Sequence, residues 1–404
     1  MSASVEEIAL PLEPGEQKWR SVRLADCCSI VSGGTPKSSE ASYWNGDILW
    51  ATPKDLTELD SKYISSTPRT ITESGYAKSS ANMLPAQSVL FSSRAPIGHV
   101  AINTVPMCTN QGFKSLVPDP NQIVPDYLYY WLRANKAQLQ ALGNGATFKE
   151  VSKTVISKVE IPLPPIEEQR RIAAILDKSD ALRAKRREAI AKLDQLLQSV
   201  FLEMFGSPRD SSYPLASLDE LCTKITDGSH ITPTYVIDGV PFLRVTDIQS
   251  SNIDWAKTKY VSAQEHQRLT KRSKPEVGDV LYSKNGTIGI PKLVDWEREF
   301  SIFVSLALLK PRHEKIRGGF LESFLATPFA LREAKRHSKT GTVTNLHLTE
   351  IRKIRLPLPP LAAQDRYIAL REAIQSHSRR LARAQLRLDE LMASIQQRAF
   401  SGRL

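Results

Sequence analysis

The sequence predicts an α+β protein in which one arrangement is used twice, a globular unit followed by a long helix. Three observations lead there. The stretch 161–206, IPLPPIEEQRRIAAILDKSDALRAKRREAIAKLDQLLQSVFLEMFG, is echoed at 356–402 by LPLPPLAAQDRYIALREAIQSHSRRLARAQLRLDELMASIQQRAFSG. Laying Pro162-Leu163-Pro164-Pro165 on Pro357-Leu358-Pro359-Pro360 sets a shift of 195 residues, which also matches Gln169 with Gln364 and Phe205 with Phe400. That period is far too long for a solenoid, whose repeats run to a few tens of residues. The residues ahead of each long stretch also mix short strands and helices in one order, at shifts of 191 to 196.

Each long stretch reads as a helix. Pro165 and Pro360 suit a first turn, where φ is preset and the missing N–H had no partner. Glu167 and Glu168 stand at the positive end of the first helix dipole, whereas the second copy has Ala362 and Ala363. Apolar residues recur at alternating steps of four and three, the mark of a coiled-coil seam. In the first helix they are Ile172, Leu176, Ile190, Leu193, Leu197 and Val200, with Ser179, Arg183 and Arg186 interrupting; in the second, Leu370, Ile374, Leu381, Leu388, Leu391 and Ile395. Packing of the two helices on each other as an antiparallel coiled coil is favoured over each packing on its own globular unit. The shared 195-residue shift would then express an internal pseudo-twofold repeat.

In chain order, 1–18 is a leader and 19–165 the first globular unit. Leu24 to Val31 reads as a short helix or turn, followed by the loop Ser32 to Lys37. Strands are expected at Asp47–Ala51, Ser88–Ser92, Val100–Ile102 and Gly112–Val117, with a helix at Asp126–Leu142 that offers Tyr127, Tyr130, Trp131 and Leu132 to the core. The first long helix occupies 166–206, a linker 207–214, the second unit 215–360 and the second long helix 361–404. In the second unit Phe320 to His337 echoes the helix 126–142, and Gly341-Thr342-Val343 echoes Gly145-Ala146-Thr147.

Composition narrows the function. With 404 residues there is room for two or three domains. The net charge of +11 mildly favours a polyanionic partner, and the excess is spread along the chain rather than gathered in one tail. Cys27, Cys28, Cys108 and Cys222 have neither disulfide-framework nor zinc-site spacing. The first residues lack the basic and apolar regions of a signal peptide, and no apolar run is long enough to span a membrane, so a cytoplasmic protein is expected. There is no dinucleotide-binding G-x-G-x-x-G after a strand, no phosphate loop and no H-E-x-x-H. No metal site and no cofactor of its own are expected.

The order GGTPK, WNGDILWATPKDL, VLFSSRAPIGHVAI, TNQGF, GATFKEVS and IPLPPIEEQRRI, with a second set 191–196 residues on, resembles the specificity (S) subunit of type I restriction-modification systems. The resemblance covers nearly the whole chain. The second unit departs from it, having Asp227-Gly228-Ser229 where the first has Gly33-Gly34-Thr35-Pro36, and Ala363 in place of Glu168. The resemblance implies a non-catalytic reader of double-stranded DNA. Each globular unit would be a target-recognition domain for one half of a bipartite, asymmetric site. The helices would space the two domains and dock two methyltransferase (M) subunits, which would carry S-adenosylmethionine, and restriction (R) subunits would join the complex. The alternatives are a coiled-coil scaffold without nucleic-acid binding, which leaves the duplicated units unexplained, and a stand-alone DNA-modifying enzyme, whose motifs are missing.

Base readout calls for Arg or Lys against guanine, Asn or Gln against adenine, and apolar contact with the thymine methyl. Loops after strands are where such side chains reach a groove. The candidates are Lys37, Trp44, Lys54, Arg94, Gln111 and Lys149 in the first unit. In the second they are His230, Arg244, Lys284, Asn285, Lys339 and Asn345. For each the alternative is a solvated surface residue, or for Trp44 and Gln111 a structural one. The run Arg183 to Arg187 is read as a solvated helix face, with contact to phosphate or an M subunit as the alternative.

Overall fold

The computed structural model describes residues 19–94, 96–144, 149–250, 252–338 and 344–404. The chain forms two compact units, one of residues 1–187 with 383–404, the other of residues 188–382. Each unit therefore takes part of both long helices, Ile166–Phe205 and Leu361–Phe400.

The first unit is built on a five-stranded sheet in the order Cys28–Ser32, Lys114–Pro118, Val89–Phe91, Val100–Asn103, Tyr63–Ile64. All neighbours are antiparallel except the last pair. Beside it lies a smaller sheet, Thr70–Ile71, Trp44–Ala51, Cys108–Thr109, whose second pairing is parallel. An antiparallel ribbon of Arg20–Arg23 on Glu160–Leu163 closes the unit just ahead of the long helix.

The second unit repeats this plan. Cys222–Asp227, Leu306–Pro311, Val280–Ser283 and Pro291–Leu293 form the main sheet. Lys259–Val261, Val240–Leu243 and Ser301–Ile302 form the small one, and Leu215–Ser217 pairs with Arg355–Pro357 in the ribbon. Among the described residues this unit has no counterpart of Tyr63–Ile64. A shared close approach fixes one glycine in each unit: a Cβ on Gly33 would lie 2.0 Å from the Asn110 carbonyl oxygen, and one on Gly228 would lie 2.0 Å from that of Ile302.

Two expected helices are each broken in two. Pro125–Ala134 and Lys136–Ala141 meet at Asn135, and Gly318–Leu325 and Pro328–Arg336 meet where the Thr327 side chain caps the second piece ahead of Pro328. Leu24 to Val31 likewise divides, into a helical turn Leu24–Cys27 and the strand Cys28–Ser32. Tyr127, Tyr130, Trp131 and Leu132 are buried as expected, packed between Val89, Phe91, Ile102 and Leu116 of the sheet and Ile172, Leu176, Met392 and Ala399 of the long helices. In the second unit Phe320, Leu321 and Phe324 take that place, against Val280, Tyr282 and Leu309 on one side and Phe201, Phe205 and Tyr367 on the other.

The repeat is kept down to single hydrogen bonds. Gln169 and Gln364, both fully buried, bolt each long helix to the start of its unit's shorter helix. Gln169 accepts from the Val124 amide at 2.8 Å and donates to the Gln122 and Pro164 carbonyls. Gln364 accepts from the Arg317 amide at 2.9 Å and donates to the Lys315 and Pro359 carbonyls. The last turns dock in parallel fashion, Phe400 edge-on to Tyr127 at 5.5 Å in the first unit and Phe205 edge-on to Phe320 at 5.0 Å in the second.

The helix segments within each unit run antiparallel. In the first, Arg171 reaches the Leu404 carbonyl and Arg183 binds Asp389 at 2.6 Å. In the second, Phe201 and Phe205 both meet Tyr367. Along the first helix Ile172 and Leu176 are buried and Ile190, Leu193, Leu197 and Val200 half-buried, and Arg183 is half-buried between Asp180 and Asp389. The second seam needs a correction. Leu370 and Leu391 are exposed, and the inward positions are Tyr367, Arg371, Ile374, Leu381, Leu388, Met392, Ile395 and Ala399. Arg371 takes the place expected for Leu370 because its guanidinium binds Glu322 and the Gly319 carbonyl.

Candidate nucleic-acid interface

In the first unit, loops from both sheets converge on an open cavity of about 430 Å³, lined by Thr52, Lys54, Arg94, Asn110, Gln111 and Pro96 among others. Three of the residues picked from sequence meet here. Lys54 follows the strand Trp44–Ala51, where Thr52 and Asp55 form a capping box, and its ammonium lies 3.5 Å from Glu58. Arg94 follows Val89–Phe91, and Gln111 follows Cys108–Thr109. Thr35 donates to Gln111, so the loop carrying Lys37 is tied to this cavity. Lys37 and Lys149 are exposed.

Trp44 is half-buried and structural in its contacts. Its indole N–H donates to the Lys37 carbonyl at 3.3 Å, its ring meets Trp50 edge-on at 5.1 Å, and the Arg69 guanidinium lies 4.0 Å from its centre. Sequence reasoning did not single out Arg69. It lies just ahead of the strand Thr70–Ile71, whose pairing with the strand that carries both tryptophans nothing in the sequence announces.

Arg94 does not stand alone. Its Nε donates to Glu150 at 2.8 Å, and Glu150 also receives the largely buried Lys114 at 3.1 Å. Burial works against the Glu150 carboxylate, but the hydrogen bonds from Lys114 and Arg94 outweigh it and hold its pKa below the usual glutamate value.

In the second unit the residues divide. His230 is exposed, 3.2 Å from Asp227. Arg244 is half-buried and folded back on Asp247, which also accepts from its amide. Lys284 is a correction: it is 5 % exposed, with its ammonium 3.4 Å from the equally buried Asp227. The strand end that suggested an outward loop instead turns this side chain in towards a carboxylate. Asn285 and Asn345 pair through their backbones, and both side-chain carbonyl oxygens are buried without a hydrogen-bond partner among the described residues. Lys339 lies outside the described residues, as do Gly145-Ala146-Thr147 and Gly341-Thr342-Val343. Arg272, missed from sequence, donates to Asp227 at 2.7 Å and its side chain is 59 % exposed.

Among the described residues no group of His, Cys, Asp and Glu could hold a metal ion, and no helix is long and apolar enough to cross a membrane. The four cysteines are free and buried. Burial pushes the Cys108 thiol up to about 11 and that of Cys222 to about 12.

Two mixed-sheet units of one plan, each with cationic and amide residues at the ends of its strands, define a duplicated α+β module. The family model of the type I restriction modification DNA specificity domain matches residues 16–192 and again 218–370, and the chain belongs to that family. The chain is 37% identical over 189 residues to the type I restriction enzyme MjaIX specificity subunit of Methanocaldococcus jannaschii, covering 46% of this chain and 43% of that one. It is 29% identical over 199 residues to the EcoR124I/EcoR124II specificity subunit of Escherichia coli, covering 48% of each. The matched part thus spans about half the length of these relatives. A solved chain from work on complex assembly and conformational transition of the type I R-M system aligns over 98% of this chain and 100% of its own, with a TM-score of 0.64 at 22% identity, a likeness of fold.

Proposed function

We propose that this chain is the DNA sequence-specificity subunit of a type I restriction-modification complex, reading a bipartite, asymmetric target with one unit per half-site. The observation that carries this reading is the pairing of a shared scaffold with unlike loop chemistry. The two units agree in sheet order, in the Gln169 and Gln364 clamps and in the Gly33 and Gly228 approaches. At equivalent loop positions one presents Arg94 and Glu150, the other Asn285 and Asn345. A module duplicated to read two different sequences needs a constant frame and variable tips.

In this reading the subunit is not itself an enzyme. S-adenosylmethionine belongs to two methyltransferase subunits docked on it, and restriction subunits complete the complex. The absence of a dinucleotide-binding or phosphate-loop motif in the sequence supports this. The long helices set the distance between the two half-sites.

The test is reconstitution. The purified chain should neither bind S-adenosylmethionine nor methylate DNA. With the methyltransferase subunits added, a gel shift should become sequence-specific and methylation should appear at defined adenines. Methyl transfer by the isolated chain would overturn the reading.

A further inference from the structure

Both units bury a lysine against a carboxylate and use that carboxylate to hold an exposed arginine, yet they do so with unrelated residues. In the first unit the set is Lys114, Glu150 and Arg94. Its backbone frame is clear: the Ser93 amide donates to the Gly112 carbonyl, the Val151 amide donates to that of Ser93, and Arg94 bridges Glu150. The second unit has the same frame. The Lys284 amide donates to Ser305, the Leu346 amide donates to the Lys284 carbonyl, and Asn285 bridges Asn345. The frame therefore equates Arg94 with Asn285 and Glu150 with Asn345, and this charged pair is gone.

The set is rebuilt from other elements. Asp227 stands at the end of the strand Cys222–Asp227, where the first unit has Ser32, the ladder partner of Lys114. Lys284 stands where the first unit has Ser93. Arg272 arrives from beyond the helix Ala263–Thr270, and His230 shares the same carboxylate. Desolvating an ammonium and a carboxylate is expensive, and an apolar pair of similar volume usually serves stability as well or better. A costly device reached by two different routes points to its shared output, a guanidinium fixed at the loop end of the sheet.

We infer that Arg272 is a specificity-determining residue of the second unit, the functional counterpart of Arg94, presenting its guanidinium to a guanine edge in the second half-site, with Asp227 and Lys284 as positioning residues. This rests on the DNA-reading function proposed above. An arginine with one N–H tied to a carboxylate keeps further donors for guanine O6 and N7, and a fixed fork loses less entropy on binding than a loose one. Lys284 thus contributes from beneath, without touching DNA.

The experiment uses the full chain assembled with its methyltransferase subunits on a DNA library randomised across the target. Arg272→Ala should reduce discrimination at one guanine of the second half-site by roughly 10- to 100-fold while leaving the first half-site as in wild type. Arg272→Lys should restore affinity but not the preference for guanine. A double Asp227→Asn, Lys284→Met variant keeps a neutral packed pair and should weaken discrimination at that same position. If Arg272→Ala instead lowers affinity evenly across all sequences, or changes nothing, the inference is overturned while DNA reading by the chain stands. If the wild-type complex selects no sequence at all, the function itself falls.

Discussion

Gln169 and Gln364 hold the fold together at the scale of single residues. Each is wholly buried and satisfies one amide and two carbonyls where the long helix leaves its globular unit. Gln169→Leu strands these groups, and buried unpartnered polar groups cost about 1–3 kcal/mol each. The variant should therefore lose about 3 kcal/mol or more, read as a fall in the urea midpoint of the first unit. Glu150 predicts a pH response. Its pKa is depressed in the fold, so its contribution is complete above the ordinary glutamate value of about 4.3 and is lost as pH falls through the lower folded value. Glu150→Gln should be less stable than wild type at neutral pH, with the difference shrinking below about pH 4, followed by thermal unfolding across pH. The repeat made the two glutamines visible in the sequence, although nothing there revealed their bonds. Lys284 shows the opposite failure. A lysine just past a strand looks exposed, and only the fold shows that Asp227 lies beneath it. Arg272 lies between the anchors that the repeat marks, so no pattern drew attention to it.

At the scale of elements, the long helices were legible because Pro and Gly are absent over about ten turns, and they run Ile166–Phe205 and Leu361–Phe400. The face of the second helix was less so. Leu370 and Leu391 lie one residue before Arg371 and Met392, and hydropathy alone favours Leu370 over Arg371. The inward choice is made by Glu322 and the Gly319 carbonyl, which bind the guanidinium. Met392 is buried and Leu391 half exposed. Met392→Ala should cost about 2–4 kcal/mol, whereas Leu391→Ala should stay within about 0.5 kcal/mol, measured by chemical denaturation. A heptad inserted into each helix, between Ser179 and Leu193 and between Ile374 and Leu388, keeps the seams in phase. It adds about 10 Å, and the unread gap between half-sites should lengthen by about one to three base pairs at 3.4 Å each. Mapping methylated adenines in cells carrying the insertion would check this; an unchanged gap with full activity would make the helices a dock and not a spacer.

At the scale of the whole molecule, duplication was the strongest signal in the sequence. It comes from a few anchor points at nearly constant shift, and the structure turns these into matching sheets, glycines and clamps. The loop tips were the least legible part, because side-chain placement there depends on partners from distant strands. In the proposed function each unit reads its own half-site. The most direct measurement replaces residues 215–358 with the equivalent segment of a relative and maps methylation by the assembled complex over a random DNA library. The expected result is two blocks of specified bases around an unspecified gap, with the block read by the first unit unchanged and the other replaced. A change in both blocks, or in neither, would contradict it.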